Sequence, residues 1–533
     1  MKQLTRILGV IMAATVFASC TKDLNKVPIV GAVATTAYTT PTAYAEGAAK
    51  VYAGFAVTGQ QGPSGSADIG SIDEGSSDYI RSYWSMQEYP TDEAVNHWFN
   101  PAPGEYLYHT FGWTSNNTNL LQGMYERIYF EVAVANEYIR QSTDGAITSK
   151  GFSNVDVANI KYFRNEVRFL RALSYSHALD LYGSVPLITE SQLPGSFIPK
   201  QVSKDTLFNY IESELLDISN NNLLPAAGHA DYGRADEGAV WALLAKLYLN
   251  AKVYTGTDRS TDCLVYCNKI ISSGAYSLAA KYGNLFLPDS HTTSASEIIF
   301  PIRMDGARTQ SYGCTNFIIH ASVGGTMPAD TFGINGGWAG ITTTSALVDS
   351  FDLAHDQRAM FWTNGQTENI PAITPNVFTY GYGVTKFRNV TSTGSRPDST
   401  LDFVSTDYPM FRLADVYLMY AESVLRGGTG GDMPTALSYF NALRERAYGN
   451  TSGDVVAIGL SDILSERARE LYWEGTRRTD LIRFGEFTTG SYLWPWKGGA
   501  ANGTSVDAHY NLYPIPSSEF ATNATLVQTP GYN

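Results

Sequence analysis

The sequence predicts a mainly α-helical protein: a tetratricopeptide-like helical array carrying long irregular loops and small β-hairpins, in one domain over residues 41–533. Three observations lead there. Apolar residues recur at helical spacing in successive segments up to about residue 280, and again from residue 411. Two of those segments, FLRALSYSHALDLYG (169–183) and VWALLAKLYLNAKVY (240–254), set Ala172 and Ala245 at comparable points among aromatics. Small side chains there let neighbouring helices approach closely, as in stacked helical repeats. Between the helical halves, residues 283–405 are rich in Gly, Thr, Asn and Pro, a composition of loops laid over a scaffold.

The chain opens with Lys2 and Arg6 ahead of Ile7–Phe17, an apolar run too short to span a bilayer. Ala18-Ser19-Cys20 follows, small residues before a cysteine, the pattern of a bacterial lipobox. Residues 1–19 are therefore expected to be a lipoprotein signal peptide, Cys20 the acylated N-terminus, and residues 20–40 a tether. An ordinary secretory leader is the alternative. No later stretch carries 18 uninterrupted apolar residues, so the expectation is a protein anchored to a membrane rather than spanning it.

Helices are expected at Tyr44–Phe55, Leu120–Gln141, Val155–Tyr182, Asp205–Asn220, Asp236–Tyr254 and Asp262–Ser273. Cys263 and Cys267 fall four apart on the last of these. With no CxxC pair and no neighbouring His they read, like Cys314, as buried or free thiols rather than a zinc site. Glu297–Ile302 and Phe317–His320 read as short strands. Helix returns at Phe411–Arg426 and Pro434–Tyr448, separated by RGGTGGDM (426–433), which lacks the GKS/T ending of a phosphate loop and reads as a turn.

The run Ser461–Phe484 orders the C-terminal half. Leu464, Ala468, Leu471 and Tyr472 make one apolar face, Ser461 stands as the N-cap, Gly475 closes the helix, and Thr479–Phe484 restarts it. Glu466, Glu470 and Glu474 pass at first sight for an acidic catalytic ridge. The pairs Glu466–Arg469, Arg467–Glu470 and Glu474–Arg478 offer neutralising partners at helical spacing, and that reading is preferred.

Composition excludes some functions. With a net charge of −14 and only 17% charged residues there is no basic stripe to neutralise phosphates, so nucleic acid is not a partner. Aromatics make up 13% of the chain, with 34 Tyr and 9 Trp against 8 His. That balance suits flat neutral ligands such as sugars better than metal or proton-transfer chemistry. HExxH, GxSxG and phosphate-loop motifs are absent. A glycosidase needs only two carboxylates about 5–10 Å apart; Glu88, Asp92 and Glu93 are candidates, read here as loop caps and surface charge. The protein is not expected to be an enzyme.

Several runs together resemble one family. They are ILxERxxELxxEGxRRxDLIRF within Ser461–Phe484, DYPMFRLADVYLMYAES (407–423), ALSYFNALRERA (436–447), and YPIP with QTPGY between residues 513 and 532. This combination, with the lipobox, resembles the SusD/RagB family, glycan-binding lipoproteins on the surface of Gram-negative gut bacteria. In that family the ending packs on the array, a structural role implied for Tyr513, Pro514 and Pro516.

Two further stretches resemble those that bind sugar in the family's starch-binding member: DEGSSDYIRSYWSMQEYPTDEAVNHWFN (73–100) and PIRMDGARTQSYGCTNF…MPADTFGINGGW (301–338). The resemblance implies Trp98, Tyr312 and Trp338 as rings stacking on sugar, with Asp73, Arg81 and Asn100 hydrogen-bonding its hydroxyls. Asp73 and Arg81 read equally as a loop-fixing ion pair. The pattern departs in three places: Asn96 replaces a second Trp, Asn100 follows Trp98 by two residues rather than three, and Tyr312 and Trp338 are two residues further apart. What the resemblance implies is capture of starch and malto-oligosaccharides at the outer membrane and their delivery to a SusC-like TonB-dependent transporter. No cofactor is implied, and no DxDxDG calcium loop is present. A different glycan or a peptide on the same scaffold, or a carbohydrate-active enzyme, remain as other readings.

Overall fold

The computed structural model describes residues 37–63, 67–70, 72–98, 105–116, 119–193, 195, 197–373, 377–397 and 401–532. Cys20, the expected leader and Asn100 lie outside them. Helices of eight residues or more are α1 (Pro41–Ala53), α2 (Tyr79–Glu88), α3 (Leu120–Gln141), α4 (Asn154–Tyr182), α5 (Lys204–Asn220), α6 (Glu237–Leu249), α7 (Ser260–Ser272), α8 (Cys314–Ser322), α9 (Leu413–Leu425), α10 (Met433–Tyr448), α11 (Leu460–Leu471) and α12 (Arg477–Phe484). The strands are β1 (Val95–Asn96), β2 (Ile298–Ile302), β3 (Ile341–Thr342), β4 (Phe361–Trp362), β5 (Gly383–Val384) and β6 (Tyr408–Arg412). They form three antiparallel two-stranded sheets, β1–β3, β2–β6 and β4–β5.

The array is a succession of neighbours. α1 packs on α3 and α4, α3 on α4, α4 on α5, α5 on α6, α6 on α7, α7 on α9, and α9 on α10 and α11. Ala172 on α4 and Ala245 on α6 are fully buried, at the close approaches that small side chains permit. Side-chain caps start several of these helices, within three residues of where the pattern says they begin. Thr40 accepts from the Ala43 amide ahead of Pro41, and Ser153, Ser203, Asp236 and Asp432 cap α4, α5, α6 and α10. Among the described residues no helix is long and apolar enough to cross a membrane. Cys263 and Cys267 lie buried as free thiols on α7, and Cys314 is a buried free thiol.

The structure corrects several expectations about the elements. The helix expected over Asp236–Tyr254 breaks at Asn250, whose side chain donates to the Lys246 carbonyl at 2.9 Å and leaves Ala251–Thr255 as a separate turn of helix. Phe411 and Arg412 belong to β6, not to the following helix. Phe317–His320 is part of helix α8, not a strand. A four-residue apolar run fits either state, and the Asp78 carboxylate decides by accepting the Cys314 amide at 2.8 Å. α2 is unexpected: all ten of its residues are buried, and its helical repeat of Ile80, Tyr83 and Trp84 runs for little more than one turn. Finally, α11 begins after Gly459, whose amide donates to Asp462 at 2.8 Å, and ends at Leu471 rather than at Gly475. There the Trp473 amide and indole turn to the carboxylate and carbonyl of Glu93, at 3.0 and 2.8 Å, and Trp473 takes a φ of 64°.

The acidic ridge is neutralised, but from across the fold. Glu466 keeps Arg469 at 2.6 Å and adds Arg358, also at 2.6 Å. Glu470 binds Arg358, Arg412 and Arg446, and Glu474 binds Arg412 and Lys386. Arg467 turns instead to Asp415 and Asp480, and Arg478 to Asp180. These charges are buried, so the network ties β6, α10 and α11 together inside the core. At the other end Tyr513 is fully buried, its hydroxyl donating to Met86 O at 2.7 Å and its amide to Leu181 O at 2.8 Å.

Candidate functional site

Asp78 builds one wall of the site. Its carboxylate accepts the Arg81 amide at the start of α2 and the Cys314 amide at the start of α8, both at 2.8 Å, so one side chain caps two helices. Gly313 makes room, since a Cβ there would fall 1.9 Å from the Asp78 carboxyl carbon. Arg81 lies over the Phe317 ring on α8, 4.3 Å from its centre, and donates to Tyr312 O at 3.4 Å. Its other neighbours are Glu105 at 3.9 Å and Asp73 at 4.0 Å. Burial raises the Glu105 carboxyl against the pull of Arg81. Asp73 is exposed and accepts Ser76 N and Oγ at 3.0 and 3.1 Å. It therefore fixes its own loop while keeping an outward face.

The second wall comes from β1 and β3. Val95 faces Thr342 and Asn96 faces Ile341, the His97 amide donates to Gly340 O at 2.8 Å, and His97 Nε2 meets Thr342 Oγ1 at 2.7 Å. Burial, then the nearby His109, lowers His97 to about 4, which keeps it neutral. Asn96, standing where the resemblance has a Trp, points inward: it donates to Tyr89 and Glu105 and accepts the Trp98 amide at 2.7 Å. The Trp98 indole then donates to Trp338 O at 3.1 Å.

Three of the residues singled out in the sequence thus stand in succession. Trp98 and Trp338 have ring centres 6.4 Å apart at 43°, and Trp338 and Tyr312 6.1 Å apart at 63°. Trp98 and Trp338 are half-buried, and Tyr312 is 41% exposed. Arg81 and Asp73 stand at the Tyr312 end. Residues that sequence reasoning missed hold the rings from behind. His320 stacks on Trp338 at 4.7 Å and 24°, with its Nδ1 on Gly336 O, and Phe403 lies 5.6 Å from Tyr312. His320 belongs to the run read as a strand, where nothing in the pattern aims it at a loop tryptophan.

Glu88, Asp92 and Glu93 are not loop caps or surface charge. All three are buried. Asp92 takes both arms of Arg477 at 2.7 Å and the Tyr492 hydroxyl at 2.6 Å. Glu88 accepts the Gly475 amide at 2.6 Å and is pushed up by burial to about 7, and burial, then Glu88 itself, raises Glu93 further. Glu93 anchors Trp473 and Glu88 anchors Gly475, and both are buried without an open face for a substrate. What the surface offers is a row of π faces with a guanidinium and a carboxylate beside them, the parts that bind C–H faces and hydroxyls.

Comparison with known proteins gives consistent relatives. The SusD family profile matches residues 355–532. The starch-binding protein SusD of Bacteroides thetaiotaomicron is 35% identical over 529 residues, covering 91% of this chain and 91% of its own. A surface glycan-binding protein A from the same species, solved in complex with laminarihexaose, superposes with a TM-score of 0.68 at 21% identity, covering 91% of this chain and 98% of its own. A SusD superfamily protein from that species superposes with a TM-score of 0.69 at 18% identity, over 92% of this chain and all of its own.

Proposed function

Because this chain belongs to the SusD family of glycan-binding proteins, we propose that it captures starch and malto-oligosaccharides at the cell surface on Trp98, Trp338 and Tyr312. The observation that carries the reading is the succession of those three rings, drawn from distant parts of the chain at 6.4 and 6.1 Å steps. Each ring stacks on one sugar face, and Arg81, Asp73 and Asn100 bind hydroxyls. At about 1–2 kcal/mol per ring, the affinity for a single chain is micromolar to millimolar. Many copies on one cell hold a polymer by avidity. Cys20 carries the lipid anchor in the outer membrane, and a SusC-like TonB-dependent transporter receives the bound oligosaccharide. The protein acts as a binder and not as an enzyme.

Titration calorimetry of residues 21–533 with maltoheptaose and a cyclic maltodextrin tests this, beside Trp98→Ala and Trp338→Ala, with laminarin fragments and dextran as controls. Heat with the α-1,4-glucans alone, lost in both variants, supports the reading. A second reading, a β-glucan ligand, is favoured by the laminarihexaose bound to a structural relative. Heat only with laminarin fragments would replace the starch assignment with that one.

A further inference from the structure

We infer that the three rings are one part of a longer track, continued by a groove between Phe163, Tyr232, Arg234 and Arg303 that takes further units of the same uncharged sugar chain. This rests on the glycan-binding reading above. The groove has a volume of about 430 Å³. Its floor is the outward face of α1, where Ala45, Ala49 and Ala53 recur every four residues and leave room.

Each wall is an arginine laid on an aromatic. The Arg234 guanidinium is 4.9 Å from the Phe163 ring centre, and that of Arg303 is 5.2 Å from Tyr232. Gly233 permits the second pair: its φ is 94°, and a Cβ there would stand 2.5 Å from Arg303 Cγ. The two arginines differ in what holds them. Arg234 is engaged by buried Glu166, which also accepts the Tyr52 hydroxyl at 2.9 Å. Arg303 is 48% exposed, lies 3.6 Å from Asp407, and makes no hydrogen bond among the described residues. Its N–H donors are therefore available to hydroxyls, beside an apolar floor suited to the C–H face of a sugar.

Continuity with the rings selects the occupant. Arg303 and Thr309 both line the groove, and Tyr312, the outermost of the three rings, follows Thr309 by three residues. Three residues span at most about 11 Å, so one loop carries both the outermost ring and a lining residue of the groove, within the reach of two or three sugar units.

The test is a length series of linear malto-oligosaccharides, from maltotriose to a chain of about ten units, titrated into wild type, Tyr232→Ala, Arg303→Ala and Trp338→Ala. Wild type should bind the long chain more tightly than maltotriose beyond the statistical gain. Tyr232→Ala and Arg303→Ala should each lower long-chain affinity about tenfold and leave maltotriose unchanged, which also reports that they fold. Trp338→Ala should weaken both. Long-chain affinity unchanged in Tyr232→Ala and Arg303→Ala, with Trp338→Ala still weakening both, overturns the groove and leaves the starch reading intact. No binding of any α-glucan by wild type overturns the starch reading itself, and the groove with it.

Discussion

Gly340 lies directly beneath the Trp98 indole: a Cβ at residue 340 would fall 2.2 Å from Trp98 Cζ2. Gly340→Ala therefore displaces the ring without touching the array. The expected outcome is a loss of malto-oligosaccharide affinity approaching that of Trp98→Ala, about tenfold, with an unchanged far-ultraviolet circular dichroism spectrum. Wild-type affinity in Gly340→Ala would detach Trp98 from the ligand.

Arg81 joins the two halves of the other wall, over Phe317 and under Tyr312 O. Arg81→Lys keeps the charge but not the planar fork that stacks and donates. Calorimetry should show Arg81→Lys nearly as weak as Arg81→Ala. Full rescue by lysine would mean that charge alone matters there.

Arg412 binds Glu297 at 2.9 Å, Glu470 at 2.6 Å and Glu474 at 2.6 Å with almost no exposure. Arg412→Ala leaves these carboxylates short of a partner inside the core, at a cost of about 3–5 kcal/mol. Urea unfolding should show the midpoint fall accordingly. Arg308→Ala is the control, because the Arg308 side chain is 85% exposed, and its midpoint should stay put.

Acid acts in two windows. His97, held neutral with a value of about 4 against an ordinary 6.5, contributes stability that is complete above pH 6.5 and declines as pH falls toward 4. Burial alone would raise Glu466, but Arg358 and Arg469 outweigh it and hold it at about 2 against 4.5, so its contribution is complete above pH 4.5 and is lost toward pH 2. Read as melting temperature against pH, acid should thus remove the contributions of these two groups, while a carboxyl raised by burial such as Glu88, at about 7, works the other way and gains stability as pH falls below 7. His97→Gln keeps a donor for Thr342 and should remove the His97 share of the upper window, about 3 kcal/mol, while leaving the share of buried His177, which is lowered to about 3, and the lower window.

Much of this was legible where one face of an element meets solvent. α3 begins and ends as its pattern predicts, Leu120 to Gln141, because its apolar stripe and polar face alternate with the helical turn. α2 was missed because its helical repeat, Ile80, Tyr83 and Trp84, runs for little more than one turn. Of the partners of the glutamates on α11 only Arg469, beside Glu466, was legible, since Arg358 and Arg412 lie far away in sequence. At the site, Trp98 and Trp338 were singled out by the family resemblance. Their contact was not legible, because it depends on β1 and β3, two residues each, too short to carry a pattern.

Trp98 and Trp338 are 240 positions apart, yet joined by one hydrogen bond. A sugar resting on both would act as a reversible staple across a very long loop. At a hundredfold excess over its Kd it would add about 2.7 kcal/mol to the folded state by mass action. Amide exchange at residues 95–98 and 338–342 would then slow in the presence of starch, so that a fed cell would carry a stiffer receptor than a starved one.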